Sequence, residues 1–242
     1  MQPAATRAPA AGRAPAALRV DFILDIACPW CAIGLAALEQ AIAQIAGEAV
    51  VELHLQPFEL NPDVGPDGEP IAAYAARKHG AGPAQLAERQ ALILGRAAGM
   101  GLAFRVRTHV YNTFDALRLL HWSAGSGRRQ LALGRALLQA CHERGENPSS
   151  PDVLLAAASD AGLDRIAAGD MLGRGAHAAQ ARAVMRQWRR LGIGGVPATL
   201  IGGRRLVPGA QSPGVFAQAL REAAAEAQAS RCSASAIAAG TA

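Results

Sequence analysis

Aromatic residues fill only 4% of this 242-residue chain, and Lys78 is its sole lysine. No stretch of about 18 apolar residues runs free of charge, which excludes a membrane-spanning helix. Cysteine is limited to four residues, Cys28, Cys31, Cys141 and Cys232, too few for a disulfide-dense miniature scaffold. Few aromatics, with alanine at roughly a quarter of positions, favour helix and exclude a large all-β sandwich. An apolar signal-peptide core is missing from residues 1–18, which hold Ala, Pro and Arg and read as a disordered arm. Without an export signal, the expected compartment is the reducing cytoplasm, where a structural disulfide is unusual.

The net charge is +5, from 24 basic and 19 acidic residues. Arg7, Arg13 and Arg19 supply +3 of it within residues 1–20, leaving +2 for the body. A nucleic-acid surface needs a clustered basic stripe interleaved with aromatics, and this distribution gives none. No nucleic-acid or membrane partner is therefore expected.

What is present falls into zones. Val20, Phe22, Leu24 and Ile26 alternate with Asp21 and Asp25, as in a half-buried strand. After Cys28-Pro29-Trp30-Cys31, Leu35, Leu38, Ile42 and Ile45 form one apolar helical stripe, and residues 50–58 alternate again. This is a parallel β-α-β unit. Helical segments are predicted near 70–79, 83–98, 112–122, 128–143, 151–161 and 168–190. Thr199-Leu200-Ile201 and Arg205-Leu206-Val207 flank Gly202-Gly203, which predicts a tight hairpin with positive φ at its turn. A last helix starts near Pro213, and the tail is expected to fray from Ser230.

The order β-α-β, helices, β-β-α gives the expected α/β class: a thioredoxin-like fold with a large all-helical insertion between its halves. The divisions are 1–18 arm, 19–62 N-terminal half, 63–191 insert, 192–229 C-terminal half and 230–242 tail.

The C-x-x-C pair follows a strand and opens a helix. Cys28 falls at the N-cap, where free amides and the helix dipole favour a thiolate, and Pro29 falls where its missing N–H costs nothing. Cys28 is expected to be the exposed nucleophile and Cys31, one turn inside, the resolving thiol. A zinc site would need two more ligands, and no second C-x-x-C or spaced His pair supplies them. Inert core cysteines are the remaining reading. Asp25 reads either as an influence on Cys28 or as a turn residue, and the histidines form no ligand spacing.

Five stretches carry a family resemblance. They are Asp25 to Gly34 (D-I-A-C-P-W-C-A-I-G), Phe58 to Asp63 (F-E-L-N-P-D), Asn112-Thr113 with Ala116 to Leu119, Ala161 to Asp164, and Gly192 to Pro197 continuing through Val207 to Gln211. The chain resembles the FrnE-like branch of the DsbA family of thiol–disulfide oxidoreductases. The resemblance implies Cys28 as nucleophile with Cys31 as partner, and Val196-Pro197 as a cis-proline loop facing them. Pro29, Trp30, Val196 and Pro197 would then bind substrate, the loop's bare backbone pairing with an extended chain. Partners would be protein or peptide thiols and disulfides. No cofactor is implied, glutathione is left open as a co-substrate, and a homodimer is left open as the assembly.

Pro208 departs from a family pattern that often has Ser. Arg182, Arg186, Arg189 and Arg190 form a basic strip that reads either as a solvated face or as an anion-facing surface for glutathione carboxylates. The alternative function is a glutathione-dependent transferase or isomerase of the kappa or 2-hydroxychromene-2-carboxylate isomerase type. Those enzymes tend to carry Ser at the first cysteine, and Cys28 speaks against them.

Overall fold

The computed structural model describes residues 17–239, with side chains described through Ser230. The arm expected at residues 1–18 therefore lies almost wholly outside the described residues. β1 (Leu18–Leu24) leads into α1 (Pro29–Gln44) and returns through β2 (Val51–Pro57). β1 and β2 pair in parallel, Phe22 opposite Leu55. β5 (Ala198–Ile201) runs antiparallel to β1, and β6 (Arg205–Pro208) closes the hairpin. The sheet order is β2-β1-β5-β6. Gly202 and Gly203 take φ of 60° and 70° at the hairpin turn, the left-handed values the sequence predicts.

Alternation along β1 builds two cores. Val20, Phe22 and Leu24 face one side, where α1 and α9 (Pro213–Ala239) pack. Ile23 faces the other, with Phe58, Trp188, Ile193 and Ala198. The helix α9 continues past Ser230, where the sequence puts the start of a fraying tail; the side chain of Cys232 lies outside the described residues. No helix among the described residues is long and apolar enough to cross a membrane.

The insert holds α2 (Ile71–His79), α3 (Pro83–Ala98), α4 (Phe114–Trp122), α5 (Arg128–Gln139), α6 (Pro151–Asp160), α7 (Arg165–Gly173) and α8 (Ala178–Arg190). It is not all-helical. β3 (Glu69–Pro70) pairs antiparallel with β4 (His109–Val110). The ring of Tyr111 lies 2.4 Å from where a Cβ on Gly68 would stand, and Gly68 holds φ of 84°, so only glycine suits the entry to this ribbon. The helix expected over 168–190 is two. Asp164 caps the start of α7 by accepting from the amides of Ile166 and Ala167 at 2.8 and 3.1 Å. Its other end is capped from outside: the buried Arg118 guanidinium donates to the carbonyls of Leu172 and Ala176 at 3.1 Å each. His177, with φ of 61°, then restarts the chain into α8.

The insert also finishes the sheet. The side-chain amide of buried Gln130 accepts from Leu55 N at 3.1 Å and donates to Leu55 O at 2.9 Å, acting as a one-residue strand on the edge of β2. Gln130→Ala strands a buried N–H and a buried carbonyl, so we expect a loss of about 2 kcal/mol in urea unfolding with an unchanged m-value. A change below about 0.5 kcal/mol would show that water replaces the amide.

Candidate active site

Three chain segments converge on the N-terminus of α1. β1 delivers Asp25 and the turn Ile26-Ala27. Cys28 is the N-cap residue, with extended φ and ψ of −88° and 111°, and Pro29 starts the helix. Cys28 N donates to Asp25 O at 3.1 Å, and Cys31 N to Cys28 O at 3.0 Å. This places both cysteines where strand-turn-helix logic puts them.

One expectation fails. Cys28 is not an exposed nucleophile: only 7% of its surface is accessible, and Cys31 is fully buried. The cause is the loop opposite. Val196-Pro197 is joined by a cis peptide bond and lies against the helix start, with the Cys28 thiol 3.7 Å from the Val196 carbonyl, to which it donates. Gly34 admits this approach, since a Cβ there would sit 3.2 Å from Pro197 Cγ. Trp30 is half-buried against the core. Val196 thus touches the sulfur through its carbonyl, Pro197 lies against Gly34 of the same helix, and Pro29 and Trp30 line the cleft with Cys28. What remains open is a cleft of about 230 Å³ between the start of α1 and the insert helices α2 and α3, lined by Cys28, Trp30, Leu60, Tyr74, Arg89 and Arg107 among others.

The thiols are electrostatically unequal. A hydrogen bond from the Cys31 side chain draws the Cys28 thiol below its ordinary value, helped by the amides of Cys31 and Trp30; burial and Asp25 oppose them. Burial pushes the Cys31 thiol well up, and its neighbour Cys28 pushes it further. One thiolate and one retained proton is the division of labour that thiol–disulfide exchange uses. Cys28, Cys31 and Cys141 are all free thiols here. Burial raises Cys141 to about 11, which keeps it an inert core thiol.

Asp25 proves to be more than a turn residue. Its fully buried carboxylate accepts from Ala27 N at 2.9 Å, Leu60 N at 2.7 Å and Thr113 Oγ1 at 2.7 Å. Burial raises its pKa against those three bonds and the charge of Arg107. His142 is a site neighbour that the sequence gives no means to find. It sits in a widened π turn, Ala140–Arg144, and Nε2 donates to Ile26 O at 2.9 Å, holding the turn before Cys28. Its ring stacks on Phe104, centroids 5.1 Å apart. Burial lowers its pKa to about 3, so the ring is neutral.

The basic strip of α8 divides. Arg182 lies over the Phe114 ring at 4.0 Å, and Arg189 over Phe58 at 4.9 Å while donating to Glu59 O at 2.8 Å. Arg186 and Arg190 are exposed, and none of the four lines the cleft. Among the described residues no three His, Cys, Asp or Glu side chains converge as metal ligands.

Two outcomes follow for these neighbours. Asp25→Asn removes the negative charge that opposes the thiolate, so Cys28 should titrate lower than in the parent by ultraviolet thiolate absorbance; an unchanged or higher value contradicts this electrostatic balance. His142 has a folded value of about 3 against 6.5 for the free side chain. The unfolded chain therefore binds more protons between those limits, and stability falls as pH drops through that window, by at most about 1.4 kcal/mol per pH unit from this group. His142→Phe should flatten that slope; equal slopes in acid denaturation would exclude His142 as the source.

Comparison with known proteins agrees with this geometry. The DSBA-like thioredoxin domain model matches residues 19–221. A probable DsbA oxidoreductase from Streptomyces coelicolor is 33% identical, with 85% of this chain and 89% of that one aligned at a TM-score of 0.77. A 2-hydroxychromene-2-carboxylate isomerase shares the fold at 17% identity, covering 90% and 98% of the two chains with a TM-score of 0.62. So does the cytosolic disulfide reductase DsbM of Pseudomonas aeruginosa, solved with glutathione, at 17% identity, 88% and 98% coverage and a TM-score of 0.54. A search of curated proteins found no match. With the family model spanning most of the chain around a Cys28/Cys31 pair under a cis-proline loop, this protein belongs to the DsbA-like thioredoxin family.

Proposed function

We propose that this protein exchanges disulfides with protein or peptide substrates through Cys28 and Cys31. The observation that carries the reading is the inequality of the two thiols at one helix N-terminus, under the Val196-Pro197 loop. The Cys28 thiolate attacks a substrate disulfide and expels one substrate thiolate. The mixed disulfide is then broken by Cys31, whose proton must leave, and the second substrate thiolate departs. The protein ends with a Cys28–Cys31 disulfide and the substrate with two thiols. Run backwards, the same atoms oxidise a dithiol, so the direction depends on the potential of the pair.

Low accessibility shapes this reading. A sulfur only 7% exposed favours an extended or unfolded segment as the partner, reaching it through the cleft that Cys28 and Trp30 line. Backbone pairing along the 195–197 loop would hold such a segment, as strand addition does.

The competing reading is a glutathione-dependent transferase or isomerase, the activity class named for the 2-hydroxychromene-2-carboxylate isomerase that shares the fold. It gives no use for a protonated second thiol. The two separate cleanly. In an insulin-reduction assay with dithiothreitol, Cys28→Ser should abolish turnover. Cys31→Ser should accumulate a mixed disulfide visible by non-reducing mass analysis. Turnover that survives Cys28→Ser would refute the exchange mechanism.

A further inference from the structure

The cleft beside Cys28 has a charge character that the exchange chemistry does not require. Its lining includes Arg89, Arg107 and His79 and no Asp or Glu. Arg89 is exposed and solvated, and two neighbouring cations are already engaged. Arg77 pairs with Glu69, and Lys78 donates to Leu60 O at 2.8 Å and to the Asn61 side chain. Arg107 is different. It is half-buried, and its guanidinium has no hydrogen-bond or ion-pair partner among the described residues. Its charge is felt by Asp25 and Tyr74 on the cleft side and by Cys141 and His142 behind it. Asp25 feels that charge but forms no hydrogen bond or ion pair with Arg107, its carboxylate being held by Ala27 N, Leu60 N and Thr113 Oγ1. The main chain of Arg107 is fixed, because Gln90 of α3 donates to its carbonyl at 3.0 Å.

A partly desolvated guanidinium without an anion is unfavourable, and a carboxylate offered in two-point geometry relieves it. Arginine suits that task better than lysine because its donors form a planar fork. Resting on the exchange reading above, we propose that the Cys28 cleft selects disulfide partners bearing a carboxylate close to the reacting sulfur, with Arg107 as the anion receptor and Arg89 at the rim. Apolar Trp30, Ile71 and Ile93 line the same cleft and fit the aliphatic body of such a partner. The carboxylate has two sources, an acidic peptide or a small thiol of the glutathione kind. The step remains the balanced exchange above, with Cys28 and Cys31 supplying both electrons; only the partner's charge is selected.

The test is single turnover of the pre-reduced protein with matched disulfides. Glutathione disulfide is compared with its fully esterified form, and an acidic cystine peptide with its amidated counterpart. Each acid should react about tenfold faster than its neutral twin at low salt, the effect of one charge-assisted pair. Added salt should shrink the ratio. Arg107→Gln should bring the ratio toward one, and Arg107→Lys should keep part of it. Using ratios within each variant cancels any change in thiol reactivity, and thermal melting reports whether each variant is folded. A preference lost in Arg107→Gln for either pair supports the proposal, and the pair that shows it names the source. Equal rates for acid and neutral twins, or a ratio that survives Arg107→Gln, overturn it while leaving the exchange mechanism intact. If no disulfide oxidises the Cys28–Cys31 pair, the exchange reading itself falls.

Discussion

Asp25 carries its carboxylate into a fully buried position, and three separate parts of the chain supply the donors that make this tolerable. Ala27 N belongs to the turn before the redox pair, Leu60 N to the loop after β2, and Thr113 Oγ1 to the start of α4. Burying an ionisable carboxyl without partners would cost several kcal/mol, on the order of the penalties for buried unpaired polar groups. The reverse also holds: without the carboxylate, two buried amides and a hydroxyl lose their acceptor. One side chain therefore fixes the register of the helical insert against the thioredoxin half at the point where Cys28 begins its helix. His142 does the same from the far side, by holding Ile26 O.

This arrangement sets a tension. The group that shapes the turn also carries the charge that opposes a thiolate at Cys28. The thiolate must be favoured by other means: the Cys31 side chain and the amides of the first helical turn. Those same features leave Cys31 to carry the cost of burial, so its thiol rises as that of Cys28 falls. Two chemically identical side chains are driven apart by three residues of spacing and the geometry of a helix start. The low accessibility of Cys28 belongs to the same balance, because the loop that covers it also excludes water that would otherwise solvate the sulfur.

Local signals made the sheet legible in the sequence. Alternation marked β1 and β2, paired glycines marked the β5–β6 hairpin, and C-P-W-C after a strand placed the redox pair at an N-cap; the cis bond at Pro197 came from family resemblance alone. The insert was legible as helical but not in its joints. The break between α7 and α8 depends on Arg118, more than fifty residues away in sequence from the carbonyls it caps. The β3–β4 ribbon is two residues long on each side, below the length at which alternation is visible. The covered state of Cys28 depends on a loop 168 residues later in the chain. The role of Asp25 was half legible, because a carboxylate at a strand end fits a turn equally well until Leu60 and Thr113 are brought to it. In each case the missing information is a long-range partner, not a local propensity.

The insert's cations show how the same logic leads toward specificity. The insert and its flanks are rich in arginine, and several of these side chains have structural work. Arg118 closes a helix, Arg77 pairs with Glu69, and Arg135 pairs with Glu39 across to α1. On α8, Arg182 and Arg189 lie on aromatic rings. In the sequence the helical spacing of the four α8 arginines left two readings, a solvated face or an anion-facing surface. Partners and burial, not spacing, tell these cations apart: among the insert arginines without a side-chain partner in the described residues, Arg107 is half-buried, at the wall of the Cys28 cleft, and the others are exposed. The thioredoxin half carries the Cys28–Cys31 pair, and the helical insert, through α2, α3 and the chain leading to β4, forms the wall of the cleft beside it.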